Sequence, residues 1–74
     1  MPYIKIKAYP KDEKIKQEVA ERINQVFLDL WGCPQEAITI SMEEVDPENW
    51  YTVEENEIKP NEDKMMILSG TKKY

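Results

Sequence analysis

The sequence predicts an α/β protein of the α+β kind: one β-α-β unit with a C-terminal extension, in a single domain spanning residues 1–74. Three observations carry that prediction. Residues 2–9 alternate with period two, residues 12–31 carry an apolar stripe at helical spacing, and residues 36–45 alternate again. A strand, a helix of about five turns and a second strand imply a parallel pair joined by a right-handed crossover.

In the first strand, Pro2, Ile4, Ile6 and Ala8 share one face, and Tyr3, Lys5, Lys7 and Tyr9 share the other. Pro10 ends it, and Asp12 is placed to cap the helix that follows. Ile15, Val19, Ile23, Val26 and Leu30 then recur at three- and four-residue spacing, with Phe27 widening the stripe. Gly32 is positioned to close the helix in the left-handed conformation, and Pro34 blocks its continuation. In "EAITISMEEV", Ala37, Thr39 and Ser41 alternate with Ile38, Ile40 and Met42. Two strands and one helix enclose no core, so one sheet face or edge is left needing a partner.

The last third is less regular. "DPENW" reads as a turn, and "YTVEENEI" is too acidic and mixed to assign. Asn61 is expected to cap a short helix through Met65, Met66 and Leu68, closed by Gly70, with "TKKY" frayed behind it.

Composition removes several function classes. The net charge of −5 opposes phosphate contact, so no nucleic-acid partner is expected. No apolar run is long enough to span a membrane, and Lys5 and Lys7 interrupt any signal-peptide pattern. Cys33 is the only cysteine and there is no histidine, which leaves no metal set and fits a reducing, cytoplasmic setting. Acid–base chemistry near neutrality therefore needs another group.

Pro2 directly after Met1, an alternating strand, a long amphipathic helix, a second strand and Trp50 after a short turn together resemble the 4-oxalocrotonate tautomerase family. The stretch "PENWYTVEENEIKP" is most similar to its PptA-like subgroup. The resemblance covers nearly the whole chain and is strongest over residues 2–50. It implies two protomers pairing into a four-stranded sheet, as a homodimer or as a homohexamer of three such dimers. It also implies cofactor-independent enol–keto tautomerisation of enols of 2-oxo acids. On that resemblance Pro2 is the catalytic base, Lys11 stands at or one place from an arginine that binds a substrate carboxylate, and Trp50 walls the pocket. The family's second arginine corresponds to Thr39, where the backbone N–H of neighbouring Ile40 is a candidate donor. Without that second cation, a monoacid such as phenylenolpyruvate suits the chain better than a dicarboxylate.

The chemistry has a condition. An amide nitrogen is no base, so Pro2 serves only after Met1 is removed. An α-amino group titrates near 8, and a dry pocket or a nearby cation lowers it. A drop of about two units corresponds to roughly 2.7 kcal/mol. Other readings stand beside this one. Pro2 on position alone is a strand-initiating proline with no N–H to satisfy, which fits a non-catalytic oligomeric interaction module. A hydratase or dehalogenase would instead use protonated Pro2 with Glu43 or Glu44 activating water. Lys11 is either a carboxylate binder or a solvated loop lysine, and Trp50 either a pocket wall or interface packing. Trp31, Tyr3, Tyr9, Met65 and Met66 are read as structural, Cys33 as inert, and Arg22 as the partner of a neighbouring carboxylate.

Overall fold

The computed structural model covers residues 1–74. Strand β1 (Tyr3–Ala8) pairs in parallel with β2 (Thr39–Glu44), in a register that sets Tyr3 opposite Thr39 and Ala8 opposite Glu44. Helix α1 (Glu13–Val26) makes the crossover between them. Asp12 caps it as expected, its carboxylate accepting the Lys14 backbone N–H at 3.1 Å. Arg22 pairs with Glu18 one turn away, at 2.9 Å.

The end of α1 departs from a regular helix. Residues Phe27–Trp31 form a wider π-type turn, closed by Gly32 at φ 74°, whose N–H donates to the Phe27 carbonyl at 3.1 Å. The wider turn advances the stripe by about a residue. Leu28 turns inward, and Val26 and Leu30, both expected to belong to the buried stripe, are 51% and 83% exposed.

Before β2 the expected extended conformation is replaced at Gln35–Ala37 by a single 3₁₀ turn, so the strand starts at Thr39. Pro34 starts this turn, its carbonyl accepting the Ala37 N–H at 3.1 Å.

Residues 47–64 are helical, where the acidic, mixed stretch "YTVEENEI" allowed no assignment. A 3₁₀ turn at Pro47–Asn49 leads into α2 (Trp50–Val53), which continues as a π-type turn over Glu54–Ile58 and a 3₁₀ stretch over Lys59–Lys64. Pro60 has no N–H to continue the ladder, and the backbone kinks at Asn61 (φ −118°, ψ 21°). Asn61 stands between two short 3₁₀ segments, and the one that follows it stops at Lys64 without a side-chain cap from Asn61. The Asn61 side-chain amide donates back to the Glu57 carbonyl at 2.8 Å, closing the preceding segment. Met65 is extended, and the expected helix through Leu68 is a small hairpin of β3 (Ile67–Leu68) and β4 (Thr71–Lys72). Ser69 and Gly70 join these strands at φ 49° and 79°, the pair of positive angles that a tight two-residue hairpin turn requires. Gly70 is thus a turn residue, and Thr71 and Lys72 are paired rather than frayed, with the Lys73 N–H donating to the Met66 carbonyl at 2.8 Å.

Residues 50–64 lie across the Lys5–Lys7–Tyr9 face of the sheet. Trp50 meets Tyr9 edge-on, with ring centroids 5.2 Å apart and planes at 83°, and the Lys7 ammonium pairs with Glu57. That pairing lifts Lys7 above its usual range and holds the Glu57 carboxyl below its own. Val53, at 6% exposure, is the single buried residue in the chain. One sheet face therefore finds its cover within the protomer, while little of the apolar surface is enclosed.

Candidate functional site

The outer edge of β1 is unpaired. The ladder phase decides which groups it presents. Thr39 N–H donates to the Pro2 carbonyl at 3.1 Å and Val45 N–H to the Ala8 carbonyl at 2.9 Å. In a parallel ladder this directs the even residues of β1 at β2 and leaves the N–H and C=O of Tyr3, Lys5 and Lys7 facing outward. By the same phase Ile40 N–H points to the outer edge of β2, away from β1.

A cleft of ≈ 720 Å³ opens at the C-terminal end of β1, between the first half of α1 and Trp50. Its apolar walls are Ile6, Ala8, Tyr9, Ile15, Val19, Met42 and Trp50, and Lys11 stands at its rim. Alternation puts Ile6 and Ala8 toward α1, the i, i+4 pair Ile15 and Val19 faces them, and the turn after β2 delivers Trp50.

The charges of the cleft are mostly matched. Lys16 pairs with Glu13 at 2.9 Å and Glu44 at 3.1 Å, and Glu44 also accepts the Lys11 backbone N–H at 3.0 Å. That backbone hydrogen bond, then the Lys16 ammonium, holds Glu44 below the usual carboxylate range. Glu13, then Glu44, lifts Lys16. Lys7 is committed to Glu57. The Lys11 ammonium alone among the cleft's cations has no carboxylate partner. The arrangement offers an apolar slot with one free positive charge, a shape for a small monoanion with an apolar body.

Lys11 and Trp50 are thus brought together, and Pro2 is not. Pro2 is half-buried at the other end of β1, about 13 Å from Ile6 at the near wall of the cleft and roughly 20 Å from Ala8 at the usual rise per strand residue. Ile40 lines a separate recess of ≈ 460 Å³ against Ala20 and Asn24 of α1. Tyr9, Ile15 and Val19 are wall residues that the sequence reading left as structural. The signal for Tyr9 was its place two residues before Lys11, on the face that Trp50 covers. Glu44, considered above as a water activator, is tied to Lys16 and the Lys11 amide. No group of three or more His, Cys, Asp or Glu side chains is placed to hold a metal ion, and no helix is long and apolar enough to cross a membrane.

Comparison with known proteins agrees with this architecture. The family model described as "Tautomerase enzyme" matches residues 2–56. The chain is 31% identical over 72 residues to Tautomerase PptA of Escherichia coli O127:H6 (strain E2348/69 / EPEC), covering 95% of this chain and 96% of that protein. It is 29% identical, over the same shares, to Tautomerase PptA of Shigella sonnei (strain Ss046). With its β-α-β core, its PptA-like extension and a match over more than half its length, the chain belongs to the tautomerase family and is an isomerase of the tautomerase type.

Proposed function

We propose that the protein is a cofactor-independent enol–keto tautomerase for monoanionic enols of 2-oxo acids with an apolar body, phenylenolpyruvate-like, and that it works as a homodimer whose site is shared between protomers. The observation that carries this reading is the separation of Pro2 from the Lys11–Trp50 cleft along β1, beside an outer edge with free N–H and C=O groups. A second copy added antiparallel to that edge, about a two-fold axis, sets each Pro2 against the partner's β1 end, next to its cleft. The inner face of the sheet already carries α1, and residues 50–64 cover the other. With both sheet faces partly covered, the β1 edge is the surface this site needs, and a dimer is enough to build it.

In this site the substrate carboxylate sits on Lys11 and the apolar body between Tyr9, Val19 and Trp50. Pro2, freed of Met1, takes the enol hydroxyl proton as the C2 carbonyl forms and returns a proton to C3. No proton is gained or lost overall. The apolar walls and the Lys11 charge both disfavour the Pro2 ammonium, which brings the amine toward the working pH. Ile40 does not share the β1 edge, so its amide enters only for a substrate approaching over β2. The lone Cys33 thiol fits a cytoplasmic location.

The test is ketonisation of phenylenolpyruvate, followed as loss of enol absorbance, by Met-free protein and by Pro2→Ala. Turnover that collapses in the variant is expected. Equal rates in both would leave the proline structural and overturn Pro2 as the base for this substrate class.

A further inference from the structure

The same ladder that places Pro2 also assigns it a hydrogen-bond acceptor. In a parallel pair with Tyr3 opposite Thr39, Ile4 N–H belongs to the Thr39 carbonyl, and one step earlier the nitrogen of Pro2 belongs to the carbonyl of Ala37. With Met1 attached, Pro2 has no hydrogen to give. The acceptor is not left empty: the Met1 ammonium donates to the Ala37 carbonyl at 2.8 Å. The position therefore already receives a cationic nitrogen.

The turn that carries this carbonyl is pinned. Its Ala37 and Ile38 N–H groups return to Pro34 and Gln35 at 3.1 and 3.2 Å. The side-chain amides of Asn24 on α1 and Gln35 in the turn form a reciprocal pair, Asn24 Nδ2 to Gln35 Oε1 at 2.9 Å and Gln35 Nε2 to Asn24 Oδ1 at 2.8 Å. Two parallel bonds of this kind fix an orientation as well as a distance. Neither residue belongs to the cleft.

We infer that, once Met1 is removed, the Ala37 carbonyl receives the N–H of Pro2, and that the Asn24–Gln35 pair positions that carbonyl and so aims the base. The inference rests on the proposed function and adds the group that orients its base. A neutral secondary amine has one N–H and one lone pair. With the N–H held in the ladder by Ala37, the lone pair is left outside it, where a substrate at the β1 edge is reached. The carbonyl also stabilises the ammonium, opposing the apolar walls and Lys11, so that the amine is tuned from both sides. The ionisable groups next to it in the chain are Tyr3 on β1 and Glu36 in the turn. Glu21 of α1 lines the recess with Ile38, and Lys5 lies further along β1. In the proposed dimer, Lys11 and Glu44 come from the second copy.

The experiment is an NMR titration of Met-free, isotope-labelled protein, reading the Pro2 nitrogen, the Ala37 carbonyl carbon and the Ile38 amide nitrogen. All three are expected to share one midpoint. In Asn24→Ala and Gln35→Ala the midpoint should fall by about half to one unit, the difference between a charge-assisted and a neutral hydrogen bond. The acid limb of the kcat/KM profile should move with it. Ala37 and Ile38 signals that stay flat while Pro2 titrates overturn the inference, and this holds even if a variant folds poorly. So does an unmoved Pro2 midpoint in both folded variants. Failure of the proposed proline-base mechanism shows separately, as an active Pro2→Ala.

Discussion

Mixing two impaired variants gives the sharpest test of a site built across protomers. Pro2→Ala removes the proposed base, and Lys11→Ala removes the only uncommitted cation of the cleft. Alone, Pro2→Ala is expected to be nearly inactive, and Lys11→Ala to keep about 1–10% of wild-type activity at substrate well below KM. Roughly 20 Å of strand separates the two positions within a chain, so no protomer supplies both to one site. If equal amounts are unfolded together and refolded, half the dimers combine one of each. In such a dimer one site has lost both residues and the other has kept both. About one quarter of wild-type activity should therefore return, whatever higher symmetry the dimers adopt. Phenylenolpyruvate ketonisation at fixed total protein reads it, with each variant's own rate subtracted and mixed dimers verified by mass. A mixture no faster than the mean of its components, with mixed dimers present, would refute the shared site.

Other consequences are measurable one at a time. Lys11→Ala alone should lower kcat/KM by about 10- to 100-fold, mostly through KM, since a hydrogen bond to a charged group contributes roughly 1.5–3 kcal/mol. Lys11→Arg, with its fork, should keep or improve binding, and an unchanged KM in the alanine variant would place Lys11 outside the site. Val53→Ala deletes two methyl equivalents at the one buried position, a loss of about 1.5–2.5 kcal/mol with its cavity. A urea midpoint within error of wild type would show that residues 50–64 do not pack there. Glu57 is held low and Lys7 high by their contact. Its contribution is thus present above the unfolded carboxyl value of about 4.3 and lost as pH falls through the lower folded one. On the alkaline side it is present below lysine's usual value of about 10.4 and lost as pH rises through the raised one. Trp50 fluorescence should report the acid transition, and Glu57→Gln should abolish that component; an identical acid transition in the variant would assign it elsewhere.

What could be read from the sequence was what a local period writes. The β1–α1–β2 order, the Asp12 cap and the Gly32 stop each follow from neighbouring residues. The π-type turn at Phe27–Trp31 could not be read, because inserting a residue's worth of rotation leaves the spacing of Val26 and Leu30 unchanged on paper while turning Leu30 outward. Residues 50–64 have no stripe of their own: Trp50, Val53 and Ile58 are too sparse, and the segment is held by Tyr9 and Lys7 of β1, far away in sequence. Strands of two residues are too short to alternate, so Met65–Leu68 looked helical. At the site, Lys11 and Trp50 share a cleft, but their distance from Pro2 is a property of the strand that no motif displays. The Asn24–Gln35 pair joins two unremarkable amides eleven positions apart.

In the proposed dimer, stability and chemistry draw on the same β1 edge, and one substitution separates that edge from the internal ladder. Only Val53 is buried, while Tyr3 on the edge strand is 66% exposed and Ile15 beside the cleft is 47% exposed. In the proposed dimer, a second copy covering that surface would stabilise a chain this small with so little enclosed. The N–H of Lys5 faces outward, so Lys5→Pro removes a donor that only a partner strand would use, as edge prolines do. Ile6→Pro removes a donor to β2 instead. Lys5→Pro is expected to be monomeric at micromolar concentration, still cooperatively folded, and inactive although Pro2, Lys11 and Trp50 are intact. Ile6→Pro should fail to fold. A Lys5→Pro protein that remains dimeric and active would show that the copies meet elsewhere, and Pro2 would then have to reach a carboxylate site within its own chain.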